Sequence, residues 1–442
     1  MRERLGGRFV RDSASVLATQ IAMTVLSVGT SVITARVLGP HDRGLFQLLV
    51  LLPTTLANFV KFGIPQANVY FMRRRGAAAA DVASNSVWIA LVLGSGLALM
   101  AYLARGWMLA PFLHEAPAAT IPAVLVLVPC VLLQAFFSGV LQAEQRFREY
   151  NFQQLMPTLL GLLGMPIALL VLHTGLIGAI VTQTLIAIVV TVWLAARVHR
   201  TAPLRLGWNR ELARGMLTFG GKSYLQTLAS TLHFRVDQYM IAAFLDPTQV
   251  GLYAVAVNLT NLLLKLPDAT GIVLYPRLAA AADRDAHAQT TAVCRHTLFI
   301  MAVAGIGYVV AGPTAIRLLY GEAYVGAIRP MLLMLPGVIM VSLYLLLTRN
   351  FTSRNRQQVN IVAAAAALAI NVGLNCVLIP RYGISGAAIS TAVSYSVAAL
   401  ILLVMFVRES GYTVAQTVLV GRAELGEYVR RARGLVPRAA AE

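Results

Sequence analysis

The sequence predicts an all-α integral membrane protein with about twelve transmembrane helices, arranged as two parallel six-helix bundles around a central cleft. Three observations lead to this fold class: the apolar composition, the number of apolar segments of spanning length, and an internal repeat. Of the 442 residues, 58% are hydrophobic and only 12% are charged. A soluble domain carries roughly 25% charged residues, so most of the surface must face lipid rather than water.

The net charge of +18 would indicate a nucleic-acid partner in a soluble protein. Here the charges form short clusters between apolar segments, which is how the orientation of membrane proteins is encoded. We therefore expect membrane lipids around the chain and no nucleic acid.

Twelve apolar segments have about the 20 residues that one spanning helix needs. The first six are 13–36, 45–71, 82–104, 119–141, 152–172 and 176–196, and the second six are 215–243, 248–276, 294–319, 327–348, 358–379 and 385–407.

The basic residues predict the orientation of these segments. If the N-terminus is cytoplasmic, the cytoplasmic segments contain 26 of the 36 Lys and Arg residues and the outer segments contain six. This bias places both termini in the cytoplasm. The predicted organisation is a cytoplasmic N-terminal segment (1–12), an N-lobe (13–197), a cytoplasmic linker (198–214), a C-lobe (215–407) and a basic cytoplasmic tail (408–442).

Two motifs recur at nearly the same offset. Residues 38–45 read LGPHDRGL and residues 245–252 read LDPTQVGL, 207 positions later. Residues 173–179 read HTGLIGA and residues 381–387 read RYGISGA, 208 positions later. Because each half contains an even number of helices, both halves enter from the same side and the repeat is parallel. Two parallel bundles with a substrate site at their interface are typical of transporters.

Two segments of the C-lobe carry a family resemblance. Residues 234–256 read FRVDQYMIAAFLDPTQVGLYAVA and residues 379–391 read IPRYGISGAAIST. They resemble the polysaccharide-export branch, with its Wzx-type flippases, of the multidrug/oligosaccharidyl-lipid/polysaccharide (MOP) superfamily. The resemblance implies a flippase of the bacterial inner membrane that moves a lipid-linked oligosaccharide, typically on undecaprenyl pyrophosphate, for O-antigen, capsule or exopolysaccharide synthesis. It also implies polysaccharide polymerase and chain-length partners.

Six ionisable residues lie well inside the predicted spans. An ionisable group in hydrocarbon costs at least ~2.5–3.5 kcal/mol, so it usually faces a cavity or a partner. All three lysines of the chain belong to this set, which consists of Lys61, Lys222, Arg235, Asp237, Lys265 and Asp268.

Helical spacing groups these charges with amides into stripes. On the eighth predicted helix, Asn258, Asn261, Lys265 and Asp268 fall within an arc of roughly 80°. The second helix carries Asn58, Lys61 and Asn68 in the same register, and the seventh carries a stripe from Lys222 to Asp237. We therefore expect all three stripes to line one wet cleft shared by both lobes. Arg235 points away from its stripe and is expected to face a neighbouring helix.

Lys61 and Lys265 lie near mid-depth and are predicted to bind the pyrophosphate or an acidic sugar. The further substrate-binding candidates are Lys222, Arg235, Asn58 and Asn261, and the candidates for coupling or gating are Asp237 and Asp268. A structural salt bridge is the alternative for each charged residue of the set. We expect no cofactor and no metal site, with H⁺ or Na⁺ as a coupling ion.

Two other functions compete with the flippase. A cation-coupled multidrug exporter would need a carboxylate in the N-lobe, yet the first six helices contain no acidic residue well inside the membrane. A membrane-bound glycan polymerase or ligase would need catalytic groups at the outer surface, where the loops are short. The sequence shows no nucleotide-binding loop or hydrolase motif in a suitable context, so we predict a transporter and not an enzyme.

Overall fold

The computed structural model describes residues 2–113, 115–205, 207–421, 424 and 426. Within them it leaves out the side chains of the first 23 residues and of several helical positions, Lys222 among them. The described part is helical and contains no strand. The first half comprises α1 (Arg2–Val60), α2 (Ile64–Arg73), α3 (Ala79–Leu103), α4 (Ala110–Leu113), α5 (Thr120–Leu125), α6 (Leu127–Ala143), α7 (Phe147–Pro166) and α8 (Gly175–His199). The second half comprises α9 (Arg210–His233), α10 (Val236–Phe244), α11 (Pro247–Ala280), α12 (Asp283–Ala315), α13 (Ile328–Ser353), α14 (Gln357–Tyr382), α15 (Ile384–Ser410) and the short α16 (Val414–Val418).

Ten helices among the described residues are long and apolar enough to cross a membrane, so the chain is a multi-pass membrane protein. The first two predicted spans meet within the single segment Leu26–Val60. The seventh predicted span, 215–243, is not among the ten, because polar residues along α9 and the break before α10 interrupt its apolar run. The number of twelve crossings therefore stays a prediction.

Helix α1 changes direction at Gly39. This residue has φ 72° and ψ 173°, a conformation that is not helical and that favours glycine because it lacks a Cβ atom. Twelve residues of straight helix would separate Ser31 from Arg43 by about 18 Å along the axis, yet Arg43 Nη2 lies 3.4 Å from Ser31 Oγ. The chain therefore folds back at Gly39, and the residues before and after it form two helical arms.

The two halves of the chain meet at a contact between repeated residues, which we call the glycine seam. A Cβ atom on Gly44 would lie 1.7 Å from the carbonyl oxygen of Pro247, and one on Gly251 would lie 2.0 Å from that of Pro40. Pro40 and Gly44 precede Pro247 and Gly251 by the same 207 positions. The contact is thus reciprocal, as expected around a pseudo-two-fold axis.

Further turns in corresponding positions of the two halves share the same positive φ angle. Gly175 and Gly383, which belong to the second repeated motif, both have φ 59°. Gln145 and Asn355 precede α7 and α14 and both have φ 58°. The repetition thus extends to turns whose residue types differ between the two halves.

The buried apolar side chains form three clusters. The largest includes residues of both halves, such as Leu48 and Val255. A second lies within the second half around Leu346, and a third lies within the first half around Phe137. Packing therefore joins the halves in one region and leaves each with a core of its own elsewhere.

The predicted termini extend beyond what the structure describes. Helix α1 begins at Arg2, inside the predicted segment 1–12, and α15 ends at Ser410, just inside the predicted tail 408–442. Residues 427–442 of that tail lie outside the described residues. The cytoplasmic position of both termini stays a prediction from the charge distribution.

Candidate functional site

A central cavity of about 850 Å³ lies between the two halves. The first half lines it with both arms of α1, with α7 and with Gln183 of α8, and the second half with α11, Arg349 of α13 and Tyr320. The cavity is therefore shared by both halves, as expected for a substrate site at a repeat interface.

The stripe of the eighth predicted helix lies in this cavity. Asn258, Asn261, Lys265 and Asp268 all line the wall that α11 contributes. Asn261 and Lys265 are exposed, and Asp268 is half-buried. The helical spacing therefore placed these four side chains on one face correctly.

Arg349 adds a second cation close to Lys265. Its side chain lies across α11 at Gly271, where a Cβ atom would be 3.3 Å from Arg349 Nε. Asp268 lies on the same helix and interacts electrostatically with both Lys265 and Arg349. Two cations thus share one carboxylate, which leaves this wall with positive charge for an anionic ligand.

A third cation, Arg43, lines the cavity near the glycine seam. Arg43 lies between the predicted spans 13–36 and 45–71, where an outer loop is expected, so it was not predicted to line the cavity. The equivalent residue of the second half, 207 positions later, is Val250. A charged residue at a position that is apolar in the other half was a signal in the sequence that Arg43 has a functional role. Arg349 was missed as well, because α13 continues to Ser353, beyond the predicted span 327–348.

The stripe of the second predicted helix is not part of this cavity. Asn68 is fully buried, and its amide donates to Ser86 Oγ at 3.0 Å and to the carbonyl of Phe136 at 2.9 Å. Asn58 and Lys61 are half-buried and are not among the cavity-lining residues that the structure describes. The expectation of three stripes in one cleft is therefore wrong for this helix.

The break between α1 and α2 explains in part why the predicted stripe from Asn58 to Asn68 does not line the cavity. Lys61 begins the break, and Phe62 and Gly63 follow with φ 40° and φ 61°. Two left-handed residues in succession interrupt the helical register, so the spacing of 3.6 residues per turn does not carry through from Asn58 to Asn68.

The structure describes the stripe of the seventh predicted helix only in part. Arg235 is exposed and lies in the break before α10. The side chain of Lys222 lies outside the described part of the structure, so the stripe from Lys222 to Asp237 is only partly observed.

Asp237 is buried in a polar cluster within the second half, away from the central cavity. Its Oδ1 accepts from Asn375 Nδ2 at 2.7 Å. Its Oδ2 accepts from the hydroxyls of Tyr253 at 3.0 Å and Thr391 at 2.5 Å. Asn375 also donates to Asn371 Oδ1 at 3.0 Å. Four helices, α10, α11, α14 and α15, therefore converge on one carboxylate.

The family profile of polysaccharide biosynthesis proteins matches residues 9–282. The chain belongs to this family. The match covers more than half of the chain and includes the segment 234–256, so the predicted resemblance is confirmed.

Curated relatives carry names from glycan transport. A flippase of low-salt glycan biosynthesis from Haloferax volcanii is 21% identical over 189 residues, which are 42% of this chain and 40% of the relative. A protein of Shigella flexneri with the name of an O-antigen transporter is 20% identical over 288 residues, or 64% of this chain and 68% of the relative. The first match thus spans less than half of that relative.

Solved structures share the fold over most of their length. The lipid II flippase MurJ, in an inward closed conformation, has a TM-score of 0.77 at 13% identity, with 89% of each chain covered. An inward-facing multidrug transporter of the MOP superfamily has a TM-score of 0.71 at 15% identity, with 89% of this chain and 98% of the other covered. These similarities confirm the predicted all-α membrane fold, which the chain shares with both transporters.

The cavity predicts a labelling pattern for single cysteines. In a variant whose three native cysteines are replaced by alanine, Asn261→Cys and Lys265→Cys should react at least about tenfold faster with a charged thiosulfonate than Ala363→Cys. The first two positions are exposed, whereas Ala363 is fully buried on α14, and a charged reagent reacts only where water reaches the thiolate. Equal rates at all three positions would show that no wet cavity exists along α11.

Proposed function

We propose that this chain moves a lipid-linked oligosaccharide across the bacterial inner membrane and that the anionic head group passes through the central cavity. The cavity between the two halves carries this proposal, because its described lining contains Arg43, Lys265 and Arg349 but only one carboxylate, that of Asp268. Positive charge in a cleft with low-dielectric walls raises the local concentration of an anionic ligand. The names of the two relatives, an O-antigen transporter and a flippase of glycan biosynthesis, support the same substrate class.

Lys265 and Arg349 are proposed to bind the pyrophosphate or an acidic sugar of the substrate, with Asn261 donating to its hydroxyl groups. Asp268 competes with the substrate for both cations. When the head group leaves, the carboxylate can pair with these cations again, which offsets one of their two positive charges in the empty cavity.

The remaining predicted binding residues have weaker support. Lys61 and Asn58 would take part only in a conformation in which the cavity reaches the break before α2. Arg235 is exposed, and its proposed role is contact with the substrate outside the cavity. For Lys222, the proposal rests on its position on α9 alone.

The net positive charge of the cavity argues against a cation-coupled exporter of cationic drugs, because three arginine or lysine side chains would repel such a substrate. The similarity to a multidrug transporter concerns the fold alone. The names of the relatives also support a transporter rather than a glycan polymerase or ligase.

Alternating access is the proposed mechanism. In this structure the halves touch at the glycine seam, which the charge distribution predicts to face the outer side. Separation of the halves at the seam and their approach at the opposite end would expose the bound head group outside, while the lipid tail stays in the bilayer. A polymerase and a chain-length regulator are proposed to consume the exported unit.

Replacing Lys265 or Arg349 by alanine should reduce export. Loss of one hydrogen bond to a charged group weakens binding by ~10- to 100-fold, so carrier-linked glycan should accumulate inside the cell as glycan at the outer face decreases. The measurement is outer-face glycan in cells whose own copy is replaced by each variant, at matched membrane levels.

The matched control is Arg277→Ala, because Arg277 is an exposed residue of the same helix outside the cavity. Export that is unchanged in both cavity variants would contradict the proposed path. Lys61→Ala, measured in the same cells, determines whether Lys61 belongs to it.

Asp237 is proposed to couple transport to an ion, either H⁺ or Na⁺. The cluster around its carboxylate fits both. The carboxylate can take up a proton, and its oxygens together with the Thr391 hydroxyl and the Asn375 amide oxygen suit a hard cation. Asn375 Oδ1 is buried and has no hydrogen-bond partner among the described residues, so one oxygen is available to such an ion.

Asp237→Asn should uncouple export from the ion gradient. The amide keeps the size of the side chain but cannot change its charge, so export should no longer respond when the proton or sodium gradient is collapsed separately. The readout is export by variant and wild-type cells with and without each gradient, and Asp285→Asn, an exposed carboxylate, is the control. A variant that keeps the wild-type response to both gradients would exclude Asp237 from coupling.

A further inference from the structure

Arg43 forms the end of the central cavity at the glycine seam. Its side chain is only 5% exposed, and it lines the cavity. Its one hydrogen bond is the long contact of 3.4 Å from Nη2 to Ser31 Oγ, and Nε is buried without a partner among the described residues. A guanidinium has five N–H donors and no acceptor. Most of the hydrogen-bonding capacity of this buried cation is therefore unused.

The protein leaves the charge of Arg43 uncompensated as well. No carboxylate of the described residues lies within ion-pair distance of it. Its electrostatic neighbours are uncharged: the side chains of Tyr324 and Tyr320 and the ring of Phe46, whose centroid lies 5.5 Å from the guanidinium carbon. A charged group that is buried without a counter-charge is unfavourable by several kcal/mol. An anion in the cavity would remove that penalty.

Ser31 and Tyr320 extend the donor set across the interface. Ser31 Oγ lies 3.3 Å from the hydroxyl oxygen of Tyr320. Because Ser31 accepts from Arg43, its own proton can go to Tyr320, and the Tyr320 proton is then left for a ligand in the cavity. Arg43 and Ser31 belong to the first half and Tyr320 to the second, so the donor set exists as a unit only while the halves are together.

Other bonds hold the halves together at this end. The hydroxyl of Tyr324 donates to the carbonyl of Ala35 at 2.8 Å. The guanidinium of Arg36 donates to the carbonyls of Leu318 and Leu319. In the chain, Arg43 lies between Arg36, which makes these contacts, and Gly44 of the seam. Because both of its flanks contact the second half, its position relative to Tyr320 must change when the seam opens.

We propose that Arg43, Ser31 and Tyr320 form a second oxyanion site, separate from the wall of Lys265 and Arg349, which binds a phosphate of the transported head group while the seam is closed. This inference rests on the proposed function and concerns the step in which the head group leaves the cavity. Opening of the seam divides the donors between the two halves, so the affinity for the anion falls and the head group is released. A ligand that binds one conformation better than another shifts the equilibrium between them, so an oxyanion at this site favours the closed seam.

Binding of inorganic pyrophosphate to the purified full-length protein in detergent tests the site. Arg43→Gln should weaken binding by ~10- to 100-fold because a charge-assisted hydrogen bond is lost, and Tyr320→Phe should weaken it less. Arg43→Lys, which keeps the charge, should retain part of the affinity and shows that the position tolerates substitution. Arg381→Gln removes the same charge from an exposed position and should leave binding unchanged.

A parallel measurement separates the two sites. Lys265→Gln should weaken pyrophosphate binding independently of Arg43→Gln, and the double variant should lose both contributions. If Arg43→Gln binds like wild type while Lys265→Gln does not, the site at the seam is overturned and the proposed function stands. If wild type binds no pyrophosphate, the site is overturned as well, and export by the Lys265→Ala cells then decides the proposed function separately.

Discussion

The backbone of Gly44 lies against Pro247, and the backbone of Gly251 lies against Pro40, so the two halves touch with no side chain between them. Such close approach needs residues without a Cβ atom, and small residues have this role at many helix contacts in membranes, where no hydrophobic effect favours association. The shared cavity depends on this contact, because its walls come from both halves. The contact closes one end of the cavity and brings Arg43 of the first half near Tyr320 of the second.

The polar groups inside the membrane fall into two classes with different chemistry. Those of the central cavity, Lys265 and Arg349 above all, have few partners within the protein and face a space large enough for a head group. Asp237, by contrast, has three donors on its two oxygens and lies within one half. The first arrangement suits an anionic ligand that enters and leaves. The second suits a small ion or proton that changes the packing of four helices.

How much could be predicted from the sequence depends on the range of the interactions involved. Helical periodicity is local, so it found the face of α11 from Asn258 to Asp268. The repeated Pro and Gly residues identified the motif that forms the seam, although not that its two copies touch each other. Periodicity failed where the helix breaks, since Phe62 and Gly63 change the register after Lys61. It also could not show that Asp237 is bonded to residues more than 130 positions away.

Arg43 and Arg349 were missed for a related reason. Both lie near the ends of predicted spans, where a boundary error of a few residues decides whether a cation counts as a loop residue or as an intramembrane one. The fold-back at Gly39 and the length of α13 decide whether Arg43 and Arg349 lie in a loop or in the cavity. Both features appear only in the folded structure. The charge count that orients a membrane protein treats such residues as loop charges, and it therefore overlooks them as cavity residues.

We propose that the halves separate at the glycine seam during transport. Spin labels on His41→Cys and Asp246→Cys, which are exposed residues of opposite halves beside the seam, would report this directly by their distance distribution in lipid, in a variant without the native cysteines. We expect one short distance in the empty protein and a second, longer distance once the lipid-linked oligosaccharide and the coupling ion gradient are present. A single short distance under every condition, in labelled protein that still transports, would contradict the account.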